Sequence, residues 1–136
     1  MKEGCDKLGP YAPVFLRLAL GIVFIYHGWG KVFGAEAGMG ASWMGDKMPA
    51  IVQILVSWGE LIGGAAILVG FLTKLAAAGI AIIMVGAIVT VHGANGFGMQ
   101  NSGYEYNFVL ICMCLALMGL GSGPLSVGGK CCKKSE

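Results

Sequence analysis

Charged residues are scarce in this sequence. Only 12% of its 136 residues are Asp, Glu, Lys or Arg, whereas soluble domains carry about 25%. The mean hydropathy is +0.78. A chain of this composition cannot cover a water-exposed surface with polar side chains, which excludes an ordinary soluble domain. Its net charge of +2 is too small and too dispersed to indicate nucleic-acid binding.

Motifs that carry electrons or bind nucleotides are also missing. The sequence has no C-x-x-C pair, no Gly-rich dinucleotide fingerprint and no cysteine set for an iron–sulfur cluster. The adjacent Cys131 and Cys132, flanked by lysines, could be acylated. We favour a plain cytosolic tail. Without these motifs the chain cannot deliver electrons by itself.

Long apolar stretches are what the sequence does contain. They cover residues 11–33, 49–72, 75–92 and 104–120. A membrane-crossing helix needs about 20 mostly apolar residues, and none of the four stretches alternates polar with apolar as membrane β-strands do. The short connections favour antiparallel neighbours. The sequence therefore predicts an all-α integral membrane protein, a single domain over 1–136 built as an antiparallel up-down four-helix transmembrane bundle.

Lysines indicate the orientation of this bundle. They precede the first stretch, lie between the second and third, and follow the fourth: Lys2, Lys7, Lys74, Lys130, Lys133 and Lys134. Cytoplasmic loops of membrane proteins are enriched in basic residues. We therefore expect both termini in the cytoplasm, insertion in the plasma membrane, and outer loops at 34–48 and 93–103.

Ionisable side chains within the apolar stretches are the candidate functional residues. Such residues are costly in lipid and usually face a bundle interior or a wet cavity. They are Arg17, His27, Lys31, Glu60, His92 and Glu105. At a rise of about 1.5 Å per residue, Glu60 lies near the midplane, and His27, Lys31, His92 and Glu105 lie in the outer third. A mid-membrane carboxyl must be protonated or paired, here with Arg17, Lys31 or a histidine.

A metal site is disfavoured, because the Glu-x-x-His motif of carboxylate-bridged bundles is absent. Haem ligation by His27 and His92 is geometrically conceivable, but we disfavour it as well. Each ionisable residue also has a structural interpretation: Lys31 and Glu105 could snorkel to the interface, and the histidines could be hydrogen-bonded packing residues.

The ionisable residues just named belong to longer sequence motifs. They are Arg17-x9-His27-Gly28-x-x-Lys31, Glu60-x-x-Gly63-Gly64, Leu68-x-Gly70-x-x-Thr73-Lys74, His92-Gly93, Gly103-Tyr104-Glu105-Tyr106 and Gly121-x-Gly123-Pro124-Leu125-Ser126. In this combination and order the sequence resembles the DoxX family of small four-helix membrane proteins. Two departures are Lys74, where the family often has Arg, and Ser126-Val127, where it usually has Ser-Asp.

The resemblance implies a link to quinone-dependent oxidoreductases, because family members include membrane subunits of thiosulfate:quinone oxidoreductase. On that basis His27, His92 and Glu105 would line an outer pocket for a quinone head group. Glu105 or Glu60 would relay protons, and Trp29 and Tyr104 would form aromatic walls. Arg17 and Lys31 would tune the carboxyl groups. Electrons would come from a partner subunit or a reduced small substrate.

Two other functions stay open. The chain could be a non-catalytic anchor or assembly module of a redox complex, with its polar residues acting as interhelical glue. It could also be a small-molecule or proton carrier, although one four-helix unit is small for that task unless it forms a homo-oligomer.

Overall fold

The computed structural model describes residues 7–128, and within this range the chain is helical with no strand. The main helices are α1 (Ala12–Phe33), α2 (Ala50–Val69), α3 (Thr73–Ala87) and α4 (Glu105–Leu120). A five-residue π-helix, Ile88–His92, continues α3 without a break. The all-α prediction is thereby confirmed. Cys131, Cys132 and the lysines at positions 2, 130, 133 and 134 lie outside the described residues.

The helices differ in whether they can cross a membrane. Three helical stretches, Gly9–Phe33, Ala50–Val69 and Thr73–Asn95, are long and apolar enough to do so. Helix α4 has 16 residues, or a length of about 24 Å against a hydrocarbon core of roughly 30 Å. It ends at Gly121, whose φ of 79° cannot continue a helix. The predicted membrane character is thus supported by three helical stretches, whereas α4 is an apolar helix shorter than a membrane crossing requires.

Helices α1 and α2 pack closely because glycines line their contact. A Cβ built on Gly28 would lie 2.5 Å from the backbone nitrogen of Leu61. One built on Gly64 would lie 2.8 Å from the backbone nitrogen of Ile25. Real side chains do not approach backbone so closely, so only glycine permits this separation. The close approach also lets side chains of modest length reach across the interface.

The spacings Gly59-x-x-x-Gly63 in α2 and Gly79/Gly86 in α3 predict close helix packing, which the structure confirms only in part. Gly59 and Gly63 of α2 meet Ile83 and Ile80 of α3 at Cβ distances of 3.0 and 3.1 Å, so tight packing is confirmed there. Gly79 and Gly86 of α3 have no atom within 4 Å of a built Cβ. The packing role predicted for this second pair is therefore wrong, because both residues face open space.

All four helices contribute to one apolar core. Its buried members are Leu20, Phe24, Ile67, Ala77, Ile80, Met84, Leu110, Cys114 and Leu117. Large apolar side chains also cover the outside of the bundle: Ile22 is 60% exposed, Ile82 72% and Leu115 57%. A soluble protein rarely exposes so much apolar surface, and a bilayer covers it at no cost. The inside and the outside of the bundle are therefore both apolar.

The Gly28 contact generates a first prediction. Gly28→Ala should lower the free energy of unfolding by about 1–3 kcal/mol, because the new methyl group overlaps the Leu61 backbone. Gly30→Ala, two residues away on the same helix and with nothing within 4 Å of its Cβ, should be neutral or stabilising. Thermal unfolding in detergent measures both. Equal stability of the two variants would contradict the close α1–α2 contact.

Candidate functional site

A buried ion pair joins α1 to α2. The Lys31 ammonium lies 2.6 Å from Glu60 Oε1 and 2.7 Å from Oε2. Glu60 is 2% exposed, and the Lys31 side chain is 23% exposed. The Lys31 nitrogen also lies 4.6 Å from the centre of the Trp43 ring, within the range of a cation–π interaction. The prediction that Glu60 is buried with a basic partner is confirmed, and that partner is Lys31.

The loop between α1 and α2 is fixed above this pair by Gln53, which is 1% exposed. Its amide oxygen accepts a hydrogen bond from Met44 N at 2.8 Å, and its amide nitrogen donates to Gly45 O and Met48 O at 2.8 and 2.7 Å. Trp43 Nε1 donates to Gln53 O at 3.2 Å. One side chain on α2 thus holds the loop that places the Trp43 ring beside Lys31.

Two adjoining cavities flank the ion pair. They share five lining residues: His27, Lys31, Glu60, Ala87 and His92. We call His27, Lys31, Glu60 and His92 the polar cluster. The structure therefore brings together four of the six ionisable residues identified in the sequence.

The two cavities have different walls. The polar cavity, of about 330 Å³, is closed by the start of α4 and the preceding loop: Met99, Ser102, Gly103, Tyr106, Asn107 and Leu110, with Phe24 and Met84 below. The apolar cavity, of about 470 Å³, lies between α2 and α3: Trp43, Met44, Met48, Val52, Val56, Ile82, Ile83, Gly86, Thr90 and Val91. The polar cluster therefore lines both the apolar cavity and the polar cavity.

His92 belongs to the π-helix at the end of α3. Such wide turns are rare and frequently occur at functional sites. The Nδ1 atom of His92 lies 2.7 Å from the carbonyl oxygen of Ser102. A carbonyl oxygen only accepts, so Nδ1 carries the proton, and Nε2 of the neutral ring is left as an acceptor. His27 has no such bond among the described residues; its ring lies 5.5 Å from Tyr26 and 6.5 Å from Tyr106.

Asn107 is a lining residue that sequence reasoning did not select. It is 6% exposed, and its amide nitrogen donates to the sulfur of Met84 at 3.4 Å, a weak bond. Its place after Tyr104-Glu105-Tyr106 was visible in the sequence, but an uncharged amide near a helix start carries no strong signal. Trp43 and Gly86 were not selected either, because a tryptophan in a loop and a glycine in an apolar helix do not by themselves indicate a site. Among the described residues, no three His, Cys, Asp or Glu lie close enough to share a metal ion.

The structure does not bring Glu105 into either cavity. Its carboxylate accepts a hydrogen bond from the backbone nitrogen of Met99 at 3.0 Å and so holds the loop before α4. The predicted grouping of Glu105 with the two histidines is corrected accordingly. Tyr104 packs edge-on against Phe97 at 5.4 Å. Trp29 is 59% exposed and lines a groove on the outer face of α1 that also includes His27 and Lys31.

Arg17 is buried, as expected of its helix face, but it does not line either cavity. Its Nε donates to Ile67 O, and its two terminal nitrogens donate to the carbonyl oxygens of Leu68, Ser122, Pro124 and Leu125. These five bonds, of 2.8–3.2 Å, match the five N–H donors of a guanidinium group. We call this arrangement the carbonyl cage. All its donors are therefore engaged, and none of them bonds to the carboxyl groups that Arg17 was predicted to tune.

Comparison with known proteins decides the family. The DoxX family model matches residues 12–93. The chain belongs to the DoxX family. It is also 32% identical over 121 residues to the Bacillus subtilis (strain 168) protein named "Putative oxidoreductase CatD", and this match covers 86% of the chain and 88% of the relative. No solved structure is significantly similar. The DoxX resemblance drawn from sequence motifs is thereby confirmed.

The ion pair generates a second prediction. Lys31→Met alone should lower the free energy of unfolding by about 3–5 kcal/mol, because it leaves the buried Glu60 carboxylate without a partner. Glu60→Leu alone should cost less, because the Lys31 side chain that remains is 23% exposed. The Glu60→Leu/Lys31→Met double variant should recover most of that loss, since no charge remains to be buried. Thermal unfolding of the four proteins in detergent provides the double-mutant cycle. Additive losses would show that the two side chains do not interact.

Proposed function

We propose that this chain is the membrane subunit of a quinone-linked oxidoreductase and that the polar cluster binds the quinone head group. The observation that supports this most strongly is the position of the polar cluster, which lines the apolar cavity and the polar cavity at the same time. A membrane-soluble ring with two carbonyl groups requires apolar walls and a few hydrogen-bond donors. The name of the Bacillus relative is consistent with redox chemistry.

The described residues fit a quinone in size and in donors. The apolar cavity of about 470 Å³ falls within the roughly 300–1,000 Å³ of most small-molecule sites. Lys31 has three N–H donors, and Glu60 engages two of them, which leaves one for a carbonyl oxygen. The Asn107 amide, bonded only weakly to sulfur, is a second available donor. Methionine and aliphatic side chains would contact both ring faces.

His92 would handle the protons. Reduction of a quinone consumes two electrons and two protons, and oxidation of the quinol releases them. Because Nδ1 of His92 donates to Ser102 O, the free Nε2 would accept a proton from a quinol hydroxyl, or the imidazolium would donate one to a quinone oxygen. His27, next to Lys31 in both cavities, would be the second such group. Glu60 would stabilise the positive charges of this cluster.

Electrons would come from outside the chain, because the sequence contains no motif for an electron carrier. A partner subunit or a reduced small substrate would supply the two electrons. This division of labour agrees with a chain that consists almost entirely of membrane helices. A homo-oligomer would be compatible with it, since Gly79 of α3 has no atom within 4 Å of a built Cβ and leaves room for a neighbouring chain.

We propose further that the helices run up and down across the plasma membrane with both termini in the cytoplasm. The carbonyl cage supports this arrangement, because Arg17 near the start of α1 meets the ends of α2 and α4. Lys7 and Lys74 would then lie on the cytoplasmic side. The polar cluster would lie towards the outer face, beneath the 34–48 loop.

A non-catalytic anchor for a redox complex is the second candidate function. The ion pair itself favours it, since a charged pair between α1 and α2 is also effective interhelical glue. Under that function the cavities would bind no quinone. A proton or small-molecule carrier is the third candidate, and it would require an assembly larger than the single chain.

Quinone-dependent turnover of histidine variants tests the proposal. His27→Ala and His92→Ala should each abolish quinone-dependent turnover of the intact complex and leave the unfolding temperature nearly unchanged, since each ring borders a cavity. If both variants stay fully active, or fail only because the bundle unfolds, the anchor function is favoured instead.

A matched pair of glycine variants tests whether a bulky side chain in the apolar cavity blocks quinone binding. Gly86 lines the apolar cavity, and Gly79 lies two turns away on the same helix. A Cβ built on either residue meets no atom within 4 Å, so Gly86→Leu should extend into the cavity and Gly79→Leu into open space. We expect Gly86→Leu to weaken binding of a decyl-chain quinone by roughly tenfold or more, because the new side chain takes the place of the ring. Gly79→Leu should bind as the wild type does. Equal affinities would place the quinone elsewhere.

A further inference from the structure

The start of α3 carries several unbalanced positive groups. The first N–H groups of a helix have no partner within the helix, and Leu72, which precedes α3, provides no side-chain cap. The first turn contains no acidic residue, and Lys74 adds a full positive charge where the helix dipole is already positive. A lysine at this position is unfavourable for the isolated helix, which suggests that an anion compensates it.

A cavity of about 410 Å³ adjoins this helix start. It is lined by the end of α2, the first residues of α3 and the segment after α4, including Gly70, Lys74 and Ser122. None of its lining residues is acidic. The nearby carbonyl cage adds a second cation, although Arg17 has no donor to spare. The cavity is therefore lined by one cation, Lys74, beside the uncapped N–H groups at the start of α3.

Thr73 provides an independent observation. It lines the same cavity and is 4% exposed. Its hydroxyl oxygen is the one buried side-chain polar atom in the described part of the chain that has no hydrogen-bond partner. A buried hydroxyl without a partner is costly, and native structures normally satisfy it with protein, water or ligand. Here the unsatisfied hydroxyl belongs to the first residue of the helix whose N–H groups are uncapped.

We propose that Thr73, Lys74 and the first turn of α3 form a binding site for a phosphate group, supplied by an anionic phospholipid. The turn between α2 and α3 is only three residues long, so the site lies where two membrane helices meet at the boundary of the bilayer. Phospholipid head groups occupy this layer, and basic pockets between helices are known to select anionic ones. The inference depends on membrane insertion and not on quinone chemistry.

Lipid-dependent thermal stability tests the site in purified, delipidated protein. Phosphatidylglycerol should raise the unfolding temperature more than zwitterionic phosphatidylcholine does, because binding to the folded state stabilises it. Thr73→Val and Lys74→Gln should each weaken the apparent phosphatidylglycerol affinity by about tenfold, the effect of one charge-assisted hydrogen bond. Lys47→Gln removes the same charge from an exposed loop residue and should leave the affinity unchanged.

The Thr73→Val variant separates a ligand role from a structural one. Without lipid it should be as stable as the wild type or more so, since it replaces an unsatisfied hydroxyl with a methyl group. Unchanged phosphatidylglycerol affinity in both Thr73→Val and Lys74→Gln would overturn the proposal. If inorganic phosphate gives the same stabilisation with the same dependence on the two variants, the phosphate site stands and the lipid is not its source.

Discussion

The Lys31–Glu60 ion pair is the interaction on which the rest of this structure depends. A carboxylate that is 2% exposed inside a membrane bundle is tolerated only with a close cation, and Lys31 reaches it because glycines bring α1 and α2 together. The pair forms part of the wall that the two cavities share. Its Lys31 ammonium also contacts the ring of Trp43 from the loop above. Neutralising Lys31 or Glu60 would therefore alter the α1–α2 packing, the contact with the Trp43 loop and the chemistry of both cavities.

The bundle handles its other buried cation in a different way. Arg17 meets no carboxylate among the described residues; its five donors bond to backbone carbonyls at the end of α2 and after α4. Carbonyl groups at a helix end carry partial negative charge and lack intrahelical partners. One side chain thus satisfies the helix end and ties three segments together. The two cations have separate tasks, Arg17 in assembly and Lys31 at the candidate site.

Much of this could be predicted from the sequence, because lipid imposes strong constraints. The apolar stretches predicted the helices, and the cost of a charge in lipid predicted that Glu60 is buried and paired. The positions of Glu105 and Arg17 could not be derived, since both bond to backbone atoms that no sequence pattern reports. The π-helix that orients His92 was equally invisible, because it depends on one local change of hydrogen bonding. The apolar cavity beside Gly86 could not be predicted either, because its walls are known only once the helices are packed.

The central claim is that a quinone ring occupies the apolar cavity beside the polar cluster. Photolabelling of membranes with an azidoquinone, followed by peptide mapping, tests it most directly. We expect label on the two walls of that cavity, residues 48–56 of α2 and its preceding loop and residues 82–92 of α3. The label should be lost when unmodified quinone is added in excess. Label spread over the lipid-facing surfaces of all helices, unaffected by competing quinone, would contradict it.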